Sequence, residues 1–138
     1  MPVLCCKNII RGLSMDTKEW VDGLRWLSDE QIVDLHFKLQ EKIKEHYKKR
    51  DVGDNLERAI QLCEQHVALA ELAFLALKGK HYKQAAKYEA LTGSKYPAEF
   101  YAPAHHGYRQ LITIMKKWKQ LDRVARLEEK RHSEGWRE

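Results

Sequence analysis

Apolar side chains recur every three or four residues along most of this chain, the spacing of one helical face. Ile32, Leu35, Leu39, Ile43 and Tyr47 step in this way after Ser28-Asp-Glu-Gln31, a sequence able to close a capping box. They predict a helix to about Arg50, with Lys48, Lys49 and Arg50 complementing the negative end of its dipole. A shorter helix is expected over Asp16–Trp26, capped by Asp16, with Trp20, Leu24 and Leu27 on one face. Asp51-Val52-Gly53 reads as a turn.

Asp54 is the expected cap of the next helix, whose stripe is Leu56, Ala59, Ile60, Cys63, Val67, Ala70, Phe74 and Leu77. The stripe runs into Val67–Leu77, where only Glu71 of 11 residues is not apolar. That run alone is too short for a bilayer, which needs about 20 apolar residues. A helix apolar on all sides is instead covered by other helices. The helix at 54–78, ending before Gly79, is therefore expected at the centre of an all-α domain. Glu71 within it is expected to be buried with a partner or to sit at a seam between helices.

A separate short helix is expected over Lys80–Leu91, ended by Thr92-Gly93-Ser94. Residues 95–106 form the one long irregular stretch, and Pro103 suits the first turn of the helix after it. That helix carries Tyr108, Leu111, Ile112 and Met115, with Trp118 expected inside the following hairpin. A turn near Lys119-Gln120 leads to a last helix with Leu121, Val124 and Leu127. About six helices in antiparallel hairpins result, because the links are short.

Residues Ala73 to Pro97 place a small residue at Ala73, a Gly79-Lys-His-Tyr82 turn, Ala85 early in a second helix, and Pro97 twelve positions on. This pattern resembles a tetratricopeptide (TPR) repeat, and Gly107–Arg131 repeats it more loosely, without the turn glycine. The stretch from Pro103 to Trp136 is also similar to small bacterial TPR-like proteins of unassigned function. The resemblance implies a protein-binding scaffold, with peptides or partner helices held on a groove lined by the first helix of each hairpin. Architecture is thus expected to be either a TPR-like array or a compact bundle around the central helix.

Composition narrows the class. The 138-residue chain suits one domain, expected over 15–138 behind a flexible extension at 1–14. That extension contains Cys5 and Cys6 but no long apolar core, so it does not read as a signal peptide. Three cysteines without a framework point to a reducing, cytoplasmic setting, and no transmembrane segment is expected. Charge is unevenly placed. Residues 1–77 hold 11 Lys/Arg against 13 Asp/Glu, whereas residues 78–138 hold 14 against 7. A basic half favours an acidic partner.

No phosphate-loop, dinucleotide, metalloprotease or nucleophile-elbow motif occurs. Cys63 and His66 stand one helical turn apart, but no second pair at zinc spacing accompanies them, so neither metal nor cofactor is expected. His105 and His106, beside Tyr101 and Tyr108 at a helix N-terminus, form the best candidate cluster, either as acid–base groups or as packing residues. Lys116, Lys117, Lys119, Arg123, Arg126, Lys130 and Arg131 form a basic ladder around Trp118.

The expected function is a non-enzymatic module, a small adaptor, regulator or inhibitor. It would bind an acidic protein surface through Tyr96, Phe100, Tyr101, His105, His106, Tyr108, Lys116, Lys117, Lys119 and Arg123. The alternatives are a nucleic-acid binder using the basic hairpin and a small enzyme using His105 or His106.

Overall fold

The computed structural model describes residues 17–138; the extension at 1–14, the Cys5/Cys6 pair and the Asp16 cap lie outside them. The described residues form an all-α fold of five helices. They are α1 (Thr17–Asp22), α2 (Asp29–Lys48), α3 (Asn55–Thr92), α4 (His106–Lys117) and α5 (Leu121–Glu134). The Ser28 capping box forms as its sequence implies. Ser28 Oγ accepts from the Gln31 amide, while Gln31 Oε1 accepts from the Ser28 amide. Asp54, in contrast, makes no side-chain cap and pairs with Arg58 at 3.1 Å.

α2 and α3 are an antiparallel pair. The His46–Asn55 hydrogen bond of 2.9 Å closes one end, and Gly79 lies against Asp29 at the other. α4 runs back beside them and α5 folds onto α3 and α4. The core comprises Leu39 and Ile43 of α2, Leu62, Leu69 and Ala73 of α3, and Leu111 and Met115 of α4. Val124 and Trp136 close it from the C-terminal side.

α3 departs most from the expected boundaries. It is one helix of 38 residues, about 57 Å long at 1.5 Å per residue. The turn expected at Gly79 is absent, and the Lys80–Leu91 helix is the continuation of the central one. No proline falls between residues 55 and 92, so every backbone amide can stay in the ladder. Gly79 clears the α2 N-terminus, because a Cβ there would collide with the Asp29 carboxylate. The helix stops at Gly93, whose φ of +72° accepts the left-handed cap.

α3 is long and apolar enough to cross a membrane by length and composition, yet half of its most apolar window is buried within the fold. It is not covered on all sides. Glu71 and Leu75 are exposed, so the buried-carboxylate expectation for Glu71 fails. No residue of α3 beyond Ala76 is buried.

Two further expectations change. α4 begins at His106, and Pro103 lies outside it, where its carbonyl accepts the Arg137 amide at 3.3 Å. Trp118 is half exposed at the α4–α5 turn, whereas Trp136 is the buried indole. The turn positions Lys119 at φ +57°, which rotates the chain sharply into α5.

Candidate functional site

Two histidines lie on the apolar stripes of neighbouring helices. His36 follows Ile32 by four residues on α2, and His66 follows Cys63 by three on α3. The antiparallel packing sets them face to face, with ring centroids 4.4 Å apart and planes inclined by 26°. His105, at the start of α4, adds a third ring 4.1 Å from His66. Trp136 flanks the group, 4.8 Å from His105 and 5.8 Å from His36. All three imidazoles are fully buried.

One nitrogen from each of the three lies within 4.8 Å of the others, which raises the question of a metal. The donor set does not fit one. His66 Nδ1 accepts the Gly107 amide at 3.0 Å, so its proton sits on Nε2 and is donated to the His36 carbonyl at 3.0 Å. His105 repeats the arrangement: Nδ1 accepts the Tyr108 amide at 3.1 Å, and Nε2–H is donated to the His66 carbonyl at 3.1 Å. Both lone pairs that could ligate are already taken by amides of the α4 N-terminus. A cation there would also face the positive end of the α4 dipole.

What the stack does is cap a helix. The first amides of an α-helix lack intrahelical acceptors. In α4, imidazole nitrogens supply two of them, one local and one from α3. The close approach requires a glycine: a Cβ on Gly107 would lie 2.5 Å from His66 Nδ1 and 2.8 Å from its Cβ.

The rings are held neutral. Burial lowers the His36 pKa to about 4. Burial and the neighbouring histidines bring His105 to about 3 and carry His66 well below its ordinary value. His105 therefore offers neither a free lone pair nor an accessible proton near neutral pH. His106 is only partly buried, and burial followed by Lys44 and Arg109 lowers its pKa as well. His36 Nδ1 has no hydrogen-bond partner among the described residues.

Tyr108 is equally buried. Its hydroxyl donates to Glu134 at 2.7 Å and accepts from Lys130 at 2.9 Å, while Lys130 pairs with Glu134 at 2.6 Å. Burial, then the Glu134 hydrogen bond, pushes the phenol pKa up. Cys63 is buried beside this core, and burial, with Glu64 adding to it, raises its thiol pKa strongly. A depressed pKa is what a reactive thiol needs, so this one is chemically quiet.

The remaining expected site residues divide between two ends of the molecule. At one end, residues 78–92 of α3 project as an arm, and the chain after Gly93 folds back along it as a strap. The Tyr96 amide donates to Glu89 at 3.0 Å, and its ring meets Tyr88 and His81 edge-on. Phe100 packs on His81 and Phe74. A shallow groove runs between arm and strap, floored by Leu77, His81 and Phe100 and edged by Lys80 and Tyr101. Tyr82, Leu91 and Tyr101 are exposed, Leu91 at 87%.

At the other end lie Lys116, Lys117, Lys119 and Arg123, separated from the strap by the length of α4. The single surface expected from the sequence is thus two surfaces, with His105 and Tyr108 in the core between them. The ladder also splits. Arg123 faces Glu64 at 3.7 Å and Arg131 is buried, whereas Lys116 and Lys119 have no carboxylate partner among the described residues. Sequence reasoning missed His36 and Trp136. The stripe position of His36 was the available signal.

Comparison with known proteins finds no matching family model, curated protein or solved structure.

Proposed function

We propose that this chain is a non-enzymatic interaction module that receives an acidic protein segment along the arm of α3 and its aromatic strap. One observation carries the reading: the last turns of the longest helix contain no buried residue, yet they present Tyr82, Tyr88 and Leu91. Exposed apolar groups gathered on one projecting element are a common mark of a partner surface. The arm and strap, residues 78–101, also hold Lys78, Lys80, Lys83, Lys87 and Lys95 against Glu89 and Glu99. An apolar floor with a basic edge suits an acidic segment carrying hydrophobic anchors. A regulator or inhibitor fits this description as well as an adaptor.

The test is affinity capture from native lysate with wild type and with a Tyr82→Ala/Leu91→Glu variant, each washed at low and high salt. Support would be one stoichiometric protein retained by wild type through high salt and lost by the variant. Equal capture by both proteins would refute the assignment to the arm. The same variant must keep the wild-type circular dichroism spectrum.

A further inference from the structure

The end of the bundle opposite the arm collects cations from two segments far apart in the chain. α2 ends at Lys48 with Lys49 and Arg50 just beyond, and α4 ends in Lys116 and Lys117 with Lys119 just beyond. Tyr47 joins them. Its ring lies under the Arg50 guanidinium at 4.5 Å, and its hydroxyl accepts from Lys117 Nζ at 3.2 Å. None of these six cations has a carboxylate within ion-pair distance among the described residues. Two helix C-termini account for some positive charge here. They do not account for Trp118, half exposed between Lys117 and Lys119.

We propose that this composite basic end binds single-stranded nucleic acid, with the six cations taking phosphates and Trp118 stacking on a base. Charge that tracks a backbone, together with an accessible aromatic face, is the chemistry such strands require. A strand is favoured over a lipid plane by the border of the patch. Asp51 directly follows Arg50 and Asp122 lies three residues past Lys119, and an anionic plane would meet them together with the lysines. A narrow strand can pass between them. The inference stands apart from the arm reading, because it uses none of the same residues.

The test is fluorescence anisotropy of the full chain with labelled 20-mers of oligo-dT and oligo-U, from 50 to 200 mM NaCl. If all six cations meet phosphates, log K falls against log salt with a slope of about −4, roughly a 300-fold loss over that range. Lys48→Gln/Lys49→Gln and Lys116→Gln/Lys119→Gln should each make the slope shallower by about 1.4. Trp118→Ala should weaken binding roughly tenfold or more with the slope unchanged. Circular dichroism confirms that each variant is folded. No binding at 50 mM salt overturns the proposal, as does full affinity in the α2 pair variant. So does stronger retention on phosphatidylserine vesicles than on either oligonucleotide.

Discussion

Acid should unfold this protein through its buried histidines. In the unfolded chain each imidazole titrates near 6.5, whereas in the fold His36 titrates at about 4, His105 at about 3 and His66 well below normal. The folded pKa values are depressed, so the unfolded state binds more protons. Stability is fully present above pH 6.5 and is lost as pH falls toward 4. At pH 5 each unfolded imidazole lies 1.5 pH units below its pKa, which contributes about 2 kcal/mol in favour of unfolding. Three together give roughly 6 kcal/mol, against a total stability of about 5–15 kcal/mol for a typical domain. The slope near pH 5.5 should approach 4 kcal/mol per pH unit. Glu64 opposes this, because burial raises its carboxyl pKa, but it is a single group.

Urea melts at pH 7.5, 6.0, 5.5 and 5.0, followed by far-ultraviolet circular dichroism, measure the effect directly. His36→Leu supplies the control. It removes one titrating ring that makes no side-chain cap, so the loss between pH 7.5 and 5 should shrink by about 2 kcal/mol. A stability that stays flat within about 1 kcal/mol from pH 7.5 to 5 would sink the argument, because all three rings would then have to protonate freely in the fold.

Gly107→Ala drives a methyl group into His66 and should cost about 3 kcal/mol through overpacking and loss of the imidazole cap, read as a lower urea midpoint. Trp136→Ala removes an indole that packs on His105 and Phe74, and should cost about 3–5 kcal/mol in the same assay. Cys63 should resist alkylation by iodoacetamide in the native protein and react only on unfolding, with peptide mass mapping to separate it from Cys5 and Cys6. Labelling of Cys63 at the rate of an exposed thiol would contradict its burial.

The helical class was legible because i, i+3 and i, i+4 spacing reports burial on one face whatever the partner. The Ser28 box was legible for the same reason, since all its atoms lie within one turn. Gly79 was not. A glycine in a helical pattern reads alike whether it ends the helix or clears a neighbour, and only the α2 N-terminus shows which. Trp118, expected inside the hairpin, is half exposed, and the burial of Trp136 was not foreseen, because each lies next to a chain reversal, where periodicity stops being informative. The histidine stack joins positions 36, 66 and 105, and three of its hydrogen bonds span 30 to 41 residues. Local patterns cannot supply such pairings, although His36 and His66 already stood on buried stripes.

The continuity of α3 bears on how its projecting half comes to be ordered. A helix of fifteen or so residues is marginal in water by itself, because its first turn must be fixed before any hydrogen bond rewards it. Here that initiation step is supplied by the buried turns at 59–76, so residues 78–92 need only elongate from an existing end. Amide hydrogen exchange along this one helix should therefore be graded, slowest near Leu69 and progressively faster toward Thr92. A segment docking on the arm would act on that gradient, slowing exchange at the tip while leaving the buried turns unchanged.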